Sequence, residues 1–441
     1  MGLAARHVIR DLIYGALVVF SILVTIQSAH TLYLTLYTWA KPTSESIAPE
    51  QFRPPRVSFT VMIPARHEEA VIQATIGRVC DANYPQKLIQ VLVVCSADDT
   101  GTIAKVKEKI SALRKAGRQN VSVVTFEDKP VNKPHGLNVG LPHAVNDVVT
   151  IFDAEDDVHR DIFNVVNTII QNEHVRVVQA GVQLMNFDSS WYSALNVLEY
   201  YFWFKSRLHY HARTGAIPLG GNTVFFDRDL VTQIGGWDEH NLTEDADIGL
   251  RLSAAGERIR VVYDDRYVTK EETPPTVSAF IRQRTRWSQG FMQTLKKGTW
   301  KDLPTRKQRW LACYTLAFPQ GQAVLGIYVV ISLLTMFSLK TPEQVALITF
   351  LPVLMILAFF LIYVIGLQEF TKAHGLEASP RSVVRMALGW LPYQLMLSYA
   401  ALRAVARERS GATDWEKTQH VGAHREHEPR TILEASDETA A

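Results

Sequence analysis

The stretch from Leu12 to Trp39 carries no formal charge and is long enough to cross a bilayer, for which about 20 apolar residues suffice. That length also argues against a cleaved secretory leader, whose apolar region is shorter. Further apolar runs lie at Leu311 to Leu339, which Pro319 is expected to break, at Val345 to Leu367, and at Met386 to Val405, which contains Pro392. The first two have spanning length and the third is shorter. The chain is therefore expected to hold a water-facing region tethered at both ends to a lipid bilayer. Lys plus Arg number 46 against 44 for Asp plus Glu. With no basic excess, nucleic acid is not an expected partner. Cys80, Cys95 and Cys313 are scattered, so neither a disulfide framework nor a zinc knuckle is indicated, and the first two read as small buried hydrophobes in a reduced compartment.

Between the apolar runs, strand and helix patterns alternate. Val57 to Ile63, Ile89 to Val94, Val121 to Phe126, Asp147 to Phe152, Val175 to Ala180 and Val224 to Phe226 read as strands. Glu69 to Val79 and Thr102 to Lys115 read as helices. Such alternation predicts an α/β fold with a mainly parallel sheet covered on both faces. In these sheets ligands bind beyond the carboxyl ends of the strands. Acid clusters stand there: Asp98-Asp99 after one strand and Asp153-Ala154-Glu155-Asp156-Asp157 after another. No Gly-x-Gly-x-x-Gly and no phosphate-loop lysine motif accompanies them, so dinucleotide and P-loop readings lack support.

The region from Gly235 to Gly290 holds the two most informative motifs. In Leu242-Thr243-Glu244-Asp245, Thr243 can cap a helix whose first turn carries Asp245, where the helix dipole keeps a carboxylate ionised and able to act as a base. Taken alone, this is a solvated helix start. Gln283, Arg286 and Trp287 are spaced to share one helix face, behind Thr276 as a cap. An amide, a guanidinium and an indole together suit phosphate binding and stacking on a sugar ring. Taken alone, they are part of an amphipathic helix. Arg282, Arg284, Arg286, Lys296 and Lys297 further suit a helix lying in the cytoplasmic interface. Trp191 to Tyr210 is rich in aromatics and reads either as core packing or as a membrane-interface helix. His209 and His211 lack partners at metal spacing and read as ordinary polar contacts.

Occurring in this order just before a membrane region, the two motifs resemble the membrane-integrated family 2 glycosyltransferases, the group of cellulose, hyaluronan and chitin synthases. The resemblance spans Val57 to Trp300. It implies a GT-A-type nucleotide-sugar-binding domain with Asp245 as catalytic base, and with Gln283, Trp287 and Glu244 at the acceptor. On the donor side it implies Ala65, Glu68, Asp98, Asp99, Lys133, Asp153 and Arg286. Asp153 and Glu155 stand where the family usually has Asp-x-Asp and would hold Mg²⁺ or Mn²⁺. Asp156 follows directly, so the second metal ligand stays open. Gly220-Gly221-Asn222-Thr223 resembles a loop near the acceptor, and Trp415-Glu416-Lys417-Thr418 an ending common in bacterial relatives.

The expected division is an amino-terminal segment (1–11), a transmembrane helix (12–39), a linker (40–56), the GT-A domain (57–272), interfacial helices with the Gln-x-x-Arg-Trp motif (273–310), a carboxyl-terminal transmembrane region (311–405) and a polar tail (406–441). The resemblance implies an inverting, metal-dependent transfer from a UDP-sugar to a growing polysaccharide, with translocation of the product. The rivals are a single-sugar transferase acting on a lipid carrier and a non-enzymatic membrane scaffold. A nucleotide-sugar donor implies a multi-pass protein of the inner (plasma) membrane with its catalytic domain in the cytoplasm. That sends Arg6 and Arg10 outside, and three full carboxyl-terminal spans would also send out Arg403, Arg407 and Arg409, against the positive-inside tendency. An interfacial last segment would remove the second conflict.

Overall fold

A computed structural model describes residues 3–338, 341–412, 414, 416 and 422. Leu339, most of the tail, and with it Trp415, Lys417 and Thr418 lie outside them. Nine strands are present among the described residues: β1 (Phe59–Ala65), β2 (Ile89–Ser96), β3 (Val121–Phe126), β4 (Val148–Ile151), β5 (Val177–Ala180), β6 (Val182–Leu184), β7 (Val224–Asp227), β8 (Ile259–Val262) and β9 (Thr269–Glu271). Seven form one sheet in the order β3-β2-β1-β4-β7-β5-β8, and β6 pairs with β9. Within the large sheet only β7 runs antiparallel, against β4 and β5. Its strands are apolar on both faces. Val61 and Ile63 pack into one core with Ile76 and Phe163, while Met62 packs into the other with Leu92 and Leu137, as the two-residue period of a strand requires.

The helices are α1 (Leu3–Thr35), α2 (Tyr37–Ala40), α3 (Ile72–Cys80), α4 (Thr100–Lys115), α5 (Lys133–Gly140), α6 (Ile162–Glu173), α7 (Ser193–Phe202), α8 (Leu208–Thr214), α9 (Arg228–Gln233), α10 (Glu244–Ala254), α11 (Val277–Lys297), α12 (Arg306–Ser338), α13 (Glu343–Thr349), α14 (Leu351–Ala373) and α15 (Pro380–Ser410). A π-helical turn, Trp203–Arg207, joins α7 to α8. Beyond the three helices expected in the domain, at Glu69 to Val79, at Thr102 to Lys115 and after Thr243, the elements β6, β8, β9, α6 and several short helices are additions to the expected set.

The reversal of β7 positions the site. Because it runs against β4, its amino end lies beside the carboxyl end of β4, and the Thr223 N–H donates to the Ile151 carbonyl at 2.8 Å. The Gly220–Thr223 loop therefore meets the Asp153 turn. Three stretches have the length and composition to cross a membrane: Val8–Thr35, Arg306–Met336 and Glu343–Ala373. Leu12, Leu334, Leu347 and Leu361 are exposed on them, as lipid-facing residues would be. Hydrogen bonds Thr31–Tyr314 (2.8 Å) and Ser21–Tyr328 (2.6 Å) align α1 antiparallel to α12. α12 continues through Pro319, contrary to the expected break. Beside the turn that Pro319 deprives of a hydrogen bond, Gln320 Nε2 donates to the Ser288 carbonyl of α11 at 3.3 Å and ties α12 to its neighbour.

α15 is not among the stretches with spanning character. It lies along α11, with Tyr393 against Phe280 (5.5 Å between rings) and Glu408 bonded to Lys296 at 2.7 Å. Arg407 Nε reaches Gln289 Oε1 at 3.2 Å, so the basic end of α15 stays on the catalytic domain's side. The aromatic segment at 191–210 packs as core, the first of its expected readings. Tyr201 and Phe202 are buried, and they form the floor on which Phe370 and Tyr363 of α14 stand.

Candidate active site

One cavity of about 1330 Å³ runs between the carboxyl edge of the sheet, α11 and the apolar helices. Ala65 and Glu68, at the end of β1, line it together with Asp153 and Glu155 beyond β4. α5 delivers Lys133. Asn132 caps that helix by accepting from the His135 N–H at 2.9 Å, which fixes where Lys133 starts. Lys133 Nζ donates to Asp153 Oδ1 at 2.5 Å and to the Gly221 carbonyl at 2.8 Å. Burial opposes the ammonium charge, but Asp153 and Glu244 outweigh it and hold the lysine above its ordinary pKa.

The geometry separates the candidates for second metal ligand. Asp156 is fully buried; its carboxylate accepts from Asn222 Nδ2 at 2.9 and 3.0 Å and from the Asp153 N–H at 2.8 Å. It braces the turn, and only Asp153 and Glu155 of this cluster line the cavity. Sequence reasoning missed Glu271 at the end of β9, because a Glu in a short strand carries no motif. Its carboxyl also bonds Asn222, and burial followed by the charges of Asp153 and Glu155 pushes its pKa up to about 8. The carboxylates of Asp153, Glu155, Glu244, Asp245 and Glu271 line the same cavity as Lys133 and Arg286. That excess of negative charge fits a divalent cation of hard character.

Asp98 and Asp99 are not on the cavity wall. Asp98 stands exposed at the rim, near Arg66 (3.8 Å), and Asp99 is buried, where it caps α4 through the Thr102 N–H and accepts from the His67 N–H at 2.6 Å. His67, Glu69 and Asp99 offer ligand atoms within 4.8 Å of one another, a grouping not foreseen. With both Asp99 oxygens engaged by backbone N–H groups, this cluster reads as a brace for the β1 loop.

Asp245 lies in the first turn of α10, its Oδ1 accepting from the Ala246 N–H at 2.8 Å. Thr243 occupies the cap position, but its side chain makes no capping bond; Asn241 Oδ1 accepts from the Thr243 N–H at 2.9 Å and holds the residue that precedes the helix. The expected ionisation of Asp245 is opposed by burial, which raises its pKa, while the Ala246 N–H and Lys133 act the other way. Burial and the adjacent Asp245 charge push Glu244 up to about 8. A Cβ on Gly221 would stand 3.3 Å from Asp245 Oδ2 and 3.6 Å from Lys133 Nζ, so a glycine there lets backbone approach both.

α11 carries the second motif as expected, capped by Thr276, whose hydroxyl accepts from the Ala279 N–H at 3.2 Å. Gln283, Arg286 and Trp287 all line the cavity. Gln283 Oε1 is buried without a hydrogen-bond partner among the described residues, an acceptor able to take a donor from a ligand. Trp287 is half-buried, its ring 6.2 Å from that of Tyr200. Arg284, expected at the bilayer interface, turns inward instead. It is paired with Glu199 at 2.5 Å and lies 4.7 Å over the Trp287 ring. Arg286 Nη1 donates to the Glu416 carbonyl at 3.3 Å, and burial lowers its pKa. The two motifs are held in register by Gly290, whose absent side chain leaves room for Thr243.

Residues 54–290 match the family model described as glycosyltransferase like family 2. The poly-beta-1,6-N-acetyl-D-glucosamine synthase of Staphylococcus epidermidis is 24% identical over 81% of this chain and 86% of its own length. The beta-monoglucosyldiacylglycerol synthase of Trichormus variabilis is 27% identical over 53% of this chain and 49% of its own. Among solved structures, the mannosyltransferase PcManGT from Pyrobaculum calidifontis, in complex with GDP-Man and Mn²⁺, superimposes with a TM-score of 0.53 at 18% identity, covering 90% of this chain and 99% of that one. That likeness shows a shared GT-A fold. With the match spanning more than half of its length, the chain belongs to the family 2 glycosyltransferases and is a glycosyltransferase with apolar helices suited to membrane integration.

Proposed function

We propose that the protein is an inverting, metal-dependent synthase that extends a polysaccharide from a UDP-sugar and passes the product between its membrane helices. The observation that carries this reading is the continuity of the cavity. It runs from Asp153 and Asp245 past Trp287 to Val24 of α1, Val329 of α12 and Pro352 of α14. The polysaccharide synthase relative supports it, because that match extends over most of both chains rather than over the catalytic domain alone. The protein would sit in the inner (plasma) membrane with the catalytic domain in the cytoplasm, where nucleotide sugars are made.

In this reading Trp287 stacks on the terminal sugar of the acceptor, and Gln283 hydrogen-bonds one of its hydroxyls. Asp245 accepts the proton of the attacking hydroxyl. That oxygen bonds to the anomeric carbon as the bond to the diphosphate oxygen breaks on the opposite face, and UDP leaves. Lys133 and Arg286 offset the charge that grows on the diphosphate. Mg²⁺ or Mn²⁺, held by Asp153 and Glu155, would add positive charge there. The PcManGT complex with Mn²⁺ supports this choice of ion.

The test is a panel of UDP-sugars offered to purified protein in lipid nanodiscs, with UDP release and product size as readouts. A polymer made with one donor, and abolished by chelator, is expected. A lipid bearing a single sugar would favour the glycolipid reading that the Trichormus relative represents. No UDP release with any donor would overturn both.

A further inference from the structure

Among the basic residues of α11, Arg284 makes contacts that a helix resting on the bilayer surface does not need. Its guanidinium lies 4.7 Å from the centre of the Trp287 ring and 4.9 Å from that of Phe280. These are its i+3 and i−4 neighbours, so the three side chains form a row on one helix face. The row is fastened to α7. Arg284 Nη2 donates to Asn196 Oδ1 and to Glu199 Oε2, the latter at 2.5 Å. Asn196 is fully buried, and its own amide nitrogen is anchored on Thr273 Oγ1 at 3.3 Å. Glu199 and Arg284 both line the cavity, as Trp287 and Tyr200 do.

The Trp287 indole makes no hydrogen bond among the described residues. Ring contacts therefore set its tilt, and of these the guanidinium at 4.7 Å is nearer than the Tyr200 ring at 6.2 Å. A cation held over one face of the indole leaves the opposite face for a sugar. The tilt of that face decides where the acceptor hydroxyl points, and a misplacement of about 1 Å can cost about a hundredfold in rate. We infer that Arg284, clamped by Glu199 and Asn196, is a positioning residue that presents Trp287 to the acceptor sugar. This rests on Trp287 as the acceptor platform proposed above. The competing account is that the Arg284–Glu199 pair only holds α11 to α7. Phe280 already packs on Tyr192 there, at 5.3 Å between rings, and a buried ion pair is a weak source of stability. Nor does adhesion require the guanidinium to lie over the indole.

The experiment compares wild type with Arg284→Lys and, separately, Glu199→Gln, all in nanodiscs and with the UDP-sugar that the panel identifies as donor. Lysine keeps the charge and can still pair with Glu199, but it has no planar fork to lie flat on the indole while serving two acceptors. Glu199→Gln keeps the shape of the clamp and removes its charge, so it keeps the test valid if Arg284→Lys folds poorly. The readouts are kcat for sugar transfer, KM for the donor, metal-dependent UDP affinity and Tm. In both variants kcat is expected to fall roughly three- to thirtyfold, the loss of one desolvated cation–π contact, while donor KM and UDP affinity stay at wild-type values. On a Trp287→Phe background, whose ring holds a cation less tightly, Arg284→Lys should cost less than it does on wild type, because it acts through the indole. Equal losses on both backgrounds, unchanged kcat in both single variants, or a fall in UDP affinity that tracks a lower Tm would overturn the positioning role and leave the synthase reading standing. Wild-type transfer by Trp287→Ala would overturn the acceptor platform and this inference with it.

Discussion

Gly290→Ala is the substitution for which structure and local propensity predict opposite signs. In the middle of a helix, alanine is normally better than glycine by about 1 kcal/mol, so an unconstrained site would gain stability. Here the new Cβ would lie 2.5 Å from Thr243 N, 2.5 Å from Thr243 Oγ1 and 2.7 Å from Thr243 Cγ2, where ordinary contact begins at 3.4 Å. Two of those atoms belong to a side chain, but the backbone nitrogen cannot turn away. α11 and the start of α10 must therefore separate by about 1 Å, which costs roughly 1 to 3 kcal/mol as overpacking. The separation falls between Asp245 on α10 and Gln283, Arg286 and Trp287 on α11. A misplacement of this size can cost about a hundredfold in rate. Initial UDP release and thermal unfolding, measured on the same nanodisc preparation, check both effects. Wild-type turnover together with a raised Tm would refute the claim that this glycine sets the register of the two motifs.

Asp245→Asn should lower turnover by about a hundredfold to ten-thousandfold while UDP affinity, measured by calorimetry, stays near wild type. Because burial raises the Asp245 pKa above 3.8, turnover should be lost as pH falls through a value above that, and a pH profile with its acid limb at or below 3.8 would contradict this. Glu271 binds a proton more tightly folded (about 8) than unfolded (4.5), so in metal-free buffer stability should fall as pH rises between those values. Glu271→Gln should flatten that slope in a Tm series. Glu155→Ala should weaken metal-dependent UDP binding without unfolding the protein, whereas Asp156→Ala should lower Tm, because it leaves the Asp153 N–H and one N–H of the Asn222 amide without their acceptor; equal effects on metal binding would undo the distinction. Trp287→Ala should stop extension while sparing metal-dependent UDP binding, and Trp287→Phe should keep part of the activity.

The parts of the fold legible in sequence were those with a single dominant period or an uninterrupted apolar run. β3 coincides with its expected range, and the others differ only at their ends. Asp153, Glu155, Asp245, Gln283, Arg286 and Trp287 were found because they lie in short motifs, and the structure brings all of them to one cavity. Glu271 was not found, since what makes it part of the site is the pairing of β6 with β9, a long-range event. Arg284 was assigned to the interface because helical periodicity reports a face, not which neighbour occupies it; Glu199 decides that. Asp98 and Asp99 are adjacent in sequence but point to different environments, because the helix cap claims one of them. α15 shows the same limit: its apolar content suggests a span, yet its residues are used against α11.

The course of α15 bears on how the chain is made. With α1, α12 and the α13–α14 stretch as the crossings, neither the catalytic domain nor the basic end of α15 has to be moved through the bilayer. In the orientation proposed above, it is the segment ahead of the apolar part of α1 that is carried across. Arg10, which travels with that end, lies 3.3 Å from Asp11, an ion pair that lowers the charge to be carried. In chain order the elements of the catalytic domain, β1 to α11, precede α12, and α15, which packs on α11, comes last. A ribosome that stalls within α15 would leave a tethered domain whose α11 lacks its outer support.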